Sequence, residues 1–368
     1  MNSFALFFPH GLCLLSLISL LPVSALETDA PAPAATSEIE ATTRLQIFLD
    51  RANFGPGKID GRYGGFTEKA LTLYRQSQGL PVLKAEDSDS ASSKTTENAR
   101  LPLPDLTDMN LTKISPVFID YHVTEADLKT VGEVPSTIPE IAKLDWIPYA
   151  SLSEALAEKF HSDLDFLREL NPDKLETLKV GDVIRVPNVE AFDVTAVKDM
   201  PLLDLMELSR EDSEEPKEKE SQADSTEPPP PAATDLAVKV DTSDSMLKLF
   251  EKGKLVAAYP VTIGSEQTQS PQGEWKIRGI ARLPDFRYDR SFLKTGERGE
   301  KTYLIKPGPN NMVGVVWIAL NKRGIGLHGT SEPDTIGRST SHGCVRLANW
   351  DIVRLASKVR AGVKVSIH

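Results

Sequence analysis

Ser341-His342-Gly343-Cys344-Val345-Arg346, preceded by His328-Gly329-Thr330, decides how this chain is read. A cysteine attacks as its thiolate, so it needs a neighbouring base near neutral pH. It also needs backbone N–H groups aimed at the oxyanion that its attack creates. His328 and His342 supply candidate bases, and Gly343 lets the backbone come close to a substrate. Zinc is the rival reading, with His328, His342 and Cys344 as ligands, but such a site lacks a fourth protein ligand and any Cys-x-x-Cys pair. Ordinary core and loop packing is the third reading, and it accounts poorly for so dense a run.

Working outward, the chain has 368 residues and two cysteines, Cys13 and Cys344. Residues 4–8 and 12–21 are apolar, Pro22 breaks the run, and Val23-Ser24-Ala25 offers small residues for cleavage. Residues 1–25 are therefore expected to be an export signal, or, since no Lys or Arg precedes the apolar run, a retained anchor short for a span, and the protein to work in the periplasm or cell envelope. Removing them leaves Cys344 as a lone free thiol, without a disulfide framework. Charge is divided unevenly: residues 236–368 carry 21 Lys and Arg against 12 Asp and Glu, whereas the whole chain carries 42 against 53. A basic back half behind an acidic front points to an anionic partner. Nucleic acid fits poorly, because an exported chain with no basic-aromatic stripe does not meet it. A carboxylate-bearing peptide or an anionic wall polymer fits better.

Two stretches divide the chain into blocks. Residues 82–105 and 209–235 are rich in Ser, Thr, Glu, Asp and Pro, and bury too little apolar surface to offset their ordering entropy. The second, ending in Pro228-Pro229-Pro230-Pro231, reads as an extended tether. Residues 38–81 read as a small helical unit. Leu45, Phe48, Leu49 and Ala52 share a helical face, and Thr67 is a candidate cap for a second helix. Residues 146–188 read as strand, helix, helix, strand, and 106–145 as a connecting segment whose residues 118–123 have strand character.

Residues 236–368 are strand-rich. Residues 237–241 and 246–250 alternate apolar and polar around a hairpin turn, and further strands are expected at 254–263, 275–280, 313–320, 324–328 and 363–367. One helix follows the cysteine, with Asn349 as its cap, Ile352, Leu355, Ala356 and Val359 on its buried face, and Gly362 at its end. Phe286, Tyr288, Phe292 and Tyr303 lie in a stretch read as cleft wall or core, and Trp317 is read as core. The fold class is a multi-domain chain with a β-sandwich at its back, a small helical module at its front, and a βααβ module between them.

This last block resembles the L,D-transpeptidase catalytic domain of the YkuD type. The resemblance rests on Tyr259-Pro260-Val261-Thr262-Ile263-Gly264, Ser270-Pro271-x-Gly273-Glu274-Trp275, Pro307-Gly308-Pro309-Asn310-Asn311, Ile325-Gly326-Leu327-His328-Gly329-Thr330 and Ser341-His342-Gly343-Cys344-Val345-Arg346-Leu347. It implies Cys344 as nucleophile and His328 as its proton acceptor and donor, oriented by a backbone carbonyl, that of Gly329. It places His342 and Gly343 at the oxyanion pocket. Arg346, Ser341, Gly329 and Thr330 are candidate substrate-binding residues, with Arg346 standing where many family members carry asparagine. The implied reaction cleaves the bond between an L-centred diamino acid and a terminal D-alanine in a peptidoglycan tetrapeptide stem. The acyl group then passes from a cysteine thioester to an amine, giving a 3→3 cross-link or attachment of a wall-linked protein. No metal or organic cofactor is required. Hydrolysis instead, as in an L,D-carboxypeptidase, or a non-catalytic wall-binding scaffold are the alternatives.

Two further resemblances lie upstream. Leu45-Gln46, Asn53-Phe54, Gly57-x-Ile59-Asp60-Gly61, Gly64, Thr67, Ala70-Leu71 and Gly79-Leu80 resemble the peptidoglycan-binding three-helix module. Leu156-Ala157, Phe160, Leu167, Leu170-Asn171, Leu178, Gly181-Asp182 and Val186-Pro187 resemble a LysM module, with Ala150-Ser151-Leu152 replacing the usual opening Gly-Asp-Thr. They imply peptidoglycan stems and glycan as partners. Deleting residues 38–81 is then expected to lower activity on intact sacculi and to spare small muropeptides. The acyl acceptor and the oligomeric state stay open.

Overall fold

The computed structural model describes residues 34–83, 101–201, 235–264, 270–291, 299–322, 324–338 and 343–368. The expected export signal, most of the two polar linkers, and the site candidates Ser341 and His342 lie outside the described residues.

The front of the chain is helical, with α1 at Ala34–Arg51 and α2 at Gly65–Ser77. Leu45 and Leu49 of α1 are fully buried, as the apolar spacing predicts. Thr67 is not the cap of α2. Gly64 holds that position, while Thr67 is buried inside the helix against the Gln46 amide at 3.2 Å. The middle of the chain runs β1 (Phe118–His122), α3 (Glu125–Leu128), α4 (Ile138–Ile141), α5 (Leu152–Lys159), α6 (Leu164–Leu170) and β2 (Val183–Pro187). β2 pairs antiparallel with β1, so the strand expected near residue 147 is not its partner. Tyr149 makes only an isolated bridge to Val131. Ser151 and Asp163 cap α5 and α6 through their side-chain oxygens.

The back of the chain holds β3 (Leu236–Asp241), β4 (Met246–Glu251), β5 (Lys254–Pro260), β6 (Gly273–Arg282), β7 (Phe286–Asp289), β8 (Thr302–Ile305), β9 (Val316–Leu320), β10 (Gly326–His328), β11 (Val345–Arg346), α7 (Asn349–Ala356) and β12 (Lys364–Ile367). The expected sandwich of two sheets is instead one curled eight-stranded sheet in the order β11-β10-β9-β6-β12-β3-β4-β5. The reason is β6. Its first residues pair with β12 and its later ones with β9, with a register shift between Ile277 and Gly279. A bulge bends a strand and raises its twist, so one strand serves both halves and the sheet closes over its own core. α7 packs into that core through Trp350, Ile352, Leu355 and Ala356. It is shorter than the sequence pattern suggests, ending at Ala356. β7 and β8 form a separate two-stranded ribbon, and Phe286, Tyr288 and Tyr303 on it are all partly exposed.

The front and middle segments are packed against this sheet. Asn53, Phe54 and Gly55 pair with the edge strand β5: Ala258 N–H donates to Asn53 O at 2.9 Å, and Gly55 N–H to Ala258 O at 2.8 Å. That contact covers an edge that would otherwise invite intermolecular pairing. Tyr149, Ala155, Phe192, Val194 and Val197 join the core under the sheet. Lys58 pairs with both Asp163 and Asp334, linking all three segments. Arg354 of α7 donates two hydrogen bonds of 2.9 Å to Asp50 of α1, a fork that also meets the His161 ring at 3.0 Å. His161 in turn stacks on Trp350 at 4.9 Å.

These junctions bury charge-bearing groups, with a consequence for stability. Burial pushes the Glu158 and Asp351 carboxyls up to about 8, against hydrogen bonds from Asn349 and Tyr149 in the first case and the Arg354 charge in the second. Burial also lowers His161 and His328, opposing the carboxyls at lower pH. Above about pH 6.5 the unfolded-state histidines lose their remaining protons, so their opposition fades and the two raised carboxyls dominate. There the folded protein binds more protons than the unfolded chain, so stability falls as pH rises from about 6.5 to 8. Each group contributes up to about 1.4 kcal/mol per pH unit. Thermal unfolding should show Tm dropping across that window. A level or rising Tm would mean both carboxyls are already ionised in the fold.

Candidate active site

His328 ends β10, between β9 and β11. Antiparallel pairing sets it opposite Trp317, and the two rings stack at 5.2 Å with 14° between their planes. Trp317, expected to be core, is only partly buried and forms one wall of the imidazole's surroundings. His328 itself is 3% exposed. Its Nδ1–H donates to the Gly329 carbonyl at 2.6 Å, which leaves Nε2 as the acceptor. Burial drives its pKa down to about 4; the Gly329 carbonyl resists this and the Arg346 charge adds to it. At neutral pH the ring is therefore an uncharged base with its lone pair on one known nitrogen.

Cys344 immediately precedes β11. The parallel register pairs Leu327 with Val345 and His328 with Arg346, so Cys344 lies level with Gly326 and faces the same side as His328. It is half-buried, with Sγ 3.6 Å from the Gly324 carbonyl. Burial raises the thiol pKa, while a backbone hydrogen bond from Gly326 and the charge of Arg346 pull it down. The pair at rest is thus thiol and neutral imidazole rather than thiolate and imidazolium. Gly343 has φ of 105°, a conformation that side chains disfavour, so the approach to the cysteine requires glycine.

The other candidates divide. Arg346 is tied down through its backbone, which exchanges two 2.9 Å hydrogen bonds with Thr262. Its charge acts on both His328 and Cys344. Gly329 supplies the carbonyl that orients His328. Thr330 is buried, and its hydroxyl accepts from Glu332 N–H at 3.1 Å, which commits it to a local turn. Asn349, read from the sequence as a helix cap, is not one: Ala348 is the cap, and the Asn349 side chain turns inward. Its Oδ1 accepts from Val315 N–H at 3.1 Å, and its Nδ2 donates to Glu158 at 2.8 Å. An asparagine ahead of an apolar run is the ordinary cap signal, so nothing local distinguishes this use.

The L,D-transpeptidase catalytic-domain model, YkuD, matches residues 235–367. The protein carrying the L,D-transpeptidase name YkuD in Bacillus licheniformis is 33% identical over 130 residues, which are 35% of this chain and 64% of that protein. The matched part therefore spans less than two thirds of that relative. Its namesake in Bacillus subtilis is 30% identical over 140 residues, 38% of this chain and 70% of the relative. Among solved structures, an L,D-transpeptidase from Mycobacterium smegmatis aligns with a TM-score of 0.30 at 14% identity, covering 37% of this chain and 59% of that one. On the family model and the Bacillus subtilis relative, the chain belongs to the YkuD family of L,D-transpeptidase catalytic domains.

Proposed function

We propose that this protein is an exported L,D-transpeptidase that cleaves the bond between the L-centred diamino acid and D-alanine of peptidoglycan tetrapeptide stems. The observation that carries the reading is the His328 Nδ1–H bond to Gly329, which leaves Nε2 as a base on the strand beside Cys344. The Cys344 sulfur attacks the scissile carbonyl as its proton passes to His328 Nε2. Backbone N–H groups of Gly343 and Cys344, with His342 beside them, hold the tetrahedral oxyanion. Losing one such donor typically costs about 3 kcal/mol of barrier. Collapse breaks the C–N bond, His328 protonates the departing amine of D-alanine, and a thioester remains on Cys344. An amine of a second stem, or of a wall-linked protein, then attacks the thioester and restores the thiol.

The rest of the chain fits a wall substrate. The positive balance of residues 236–368 suits the free carboxylates of the stems, with the Arg346 charge acting on Cys344 itself. The helical front block and the segment 146–188 act as the wall-facing units, holding glycan or stems close to the cleft. Incubation with a purified disaccharide-tetrapeptide followed by mass spectrometry tests the reading. A dimer that has lost one D-alanine is the expected product. Monomeric tripeptide alone would make the protein an L,D-carboxypeptidase, and unchanged substrate would leave a binding scaffold.

A further inference from the structure

We infer that Glu158, in the middle segment, is a positioning residue for His328, acting through Asn349 and the Gly329 carbonyl. The inference rests on the cysteine–histidine pair proposed above. Glu158, Asn349 and His328 are all buried, at 5%, 0% and 3% exposure. Gly329 and Gly314 leave the space that the Asn349 amide occupies. A Cβ added at either glycine would lie 2.2 Å from Asn349 Oδ1, and the two glycine backbones are themselves in contact. The loop that presents Gly329 O to the imidazole is therefore backed directly by this amide.

The amide can face only one way. Val315 N–H, 3.1 Å from the side chain, is a donor, so the atom opposite it must be oxygen. That turns the NH2 group toward Glu158 Oε1 at 2.8 Å, with the Pro309 carbonyl at 3.3 Å as a second acceptor. Glu158 is the stronger anchor by distance, and it is itself held by a hydrogen bond from the Tyr149 phenol. Without the Glu158 oxygen, one N–H of a buried amide loses its partner, and such groups relax by shifting. The group free to shift here is the one against Gly329. The middle segment thus completes the catalytic block from outside the 235–367 region that matches the family model.

The test compares Glu158→Gln, which retains an acceptor oxygen, with Glu158→Met, which keeps the volume and removes it. Both are made in the full chain. The readouts are the downfield His328 Nδ1–H resonance in proton NMR and the rate of Cys344 alkylation by iodoacetamide at pH 7. Glu158→Gln should leave the resonance in place and the rate within about twofold. Glu158→Met should move the resonance upfield and slow alkylation by about tenfold or more, the scale at which small displacements of catalytic groups act. Should Glu158→Met fail to fold, Tyr149→Phe must move the resonance the same way to a smaller degree. An unmoved resonance in a folded Glu158→Met protein, or in Tyr149→Phe where that is the variant read, overturns the inference. Neither readout uses a wall substrate, so a failed transpeptidase assay leaves this result standing on its own.

Discussion

Alkylation of Cys344 by iodoacetamide at pH 7 is expected to slow by about a hundredfold or more when His328 is replaced by alanine, the usual scale of a positioned general base. The size follows from the resting state. Burial holds the Cys344 thiol above its ordinary range, so little thiolate exists at neutral pH without help. Burial holds the imidazole down to about 4, so it is uncharged and able to take the proton as sulfur attacks. The pH profile provides a second check. A neutral pair gives a rate that keeps rising through pH 8 as the thiol ionises, whereas a preformed thiolate–imidazolium pair would level off at much lower pH. Equal rates for wild type and His328→Ala would remove His328 as the base. A plateau below about pH 6 would remove the neutral pair.

How much of this was legible in the sequence depends on the distance over which each interaction acts. The hairpin of β3 and β4 was readable because a half-buried strand alternates residue by residue, and the alternation is local. The Gly329 carbonyl partner of His328 was reachable because the two residues are adjacent and the family resemblance named it. The single curled sheet was not readable, because it depends on a register shift within β6 that changes that strand's partner. The β1–β2 pairing was missed for a related reason. Phe118–His122 has strand character, but its partner lies beyond four helices, α3 to α6. Asn349 followed the local rule for a cap and was overruled by two glycines, at 314 and 329, that leave room for its amide. Its Glu158 partner is 191 residues away, and no spacing rule reaches that far.

The same long reach bears on the helical front block. Sequence pattern alone makes residues 38–81 a detachable targeting unit, whose loss would spare activity on small muropeptides. The fold argues for loss on both substrates. Deleting that block strips the edge strand β5 of its pairing with Asn53, Phe54 and Gly55. It also removes Asp50, whose carboxylate receives the two-pronged Arg354 bond and the His161 ring. Burial works against the ionised Asp50, yet His161 and Arg354 hold its carboxyl well below the usual range, so the charge is present in the folded state. A single change, Asp50→Ala, therefore leaves Arg354 largely buried with Asp351 as its remaining carboxyl at 3.9 Å. Removing one partner of such a pair typically costs about 3–5 kcal/mol. Urea unfolding should show that loss as a lower midpoint with an unchanged slope. Asp50→Asn, which still accepts one hydrogen bond from Arg354, should lose less. An Asp50→Ala protein within about 1 kcal/mol of wild type would mean that solvent already reaches the pair and lowers its worth to that of a surface bridge. The front block would then be free to act as the separable unit that its sequence resembles.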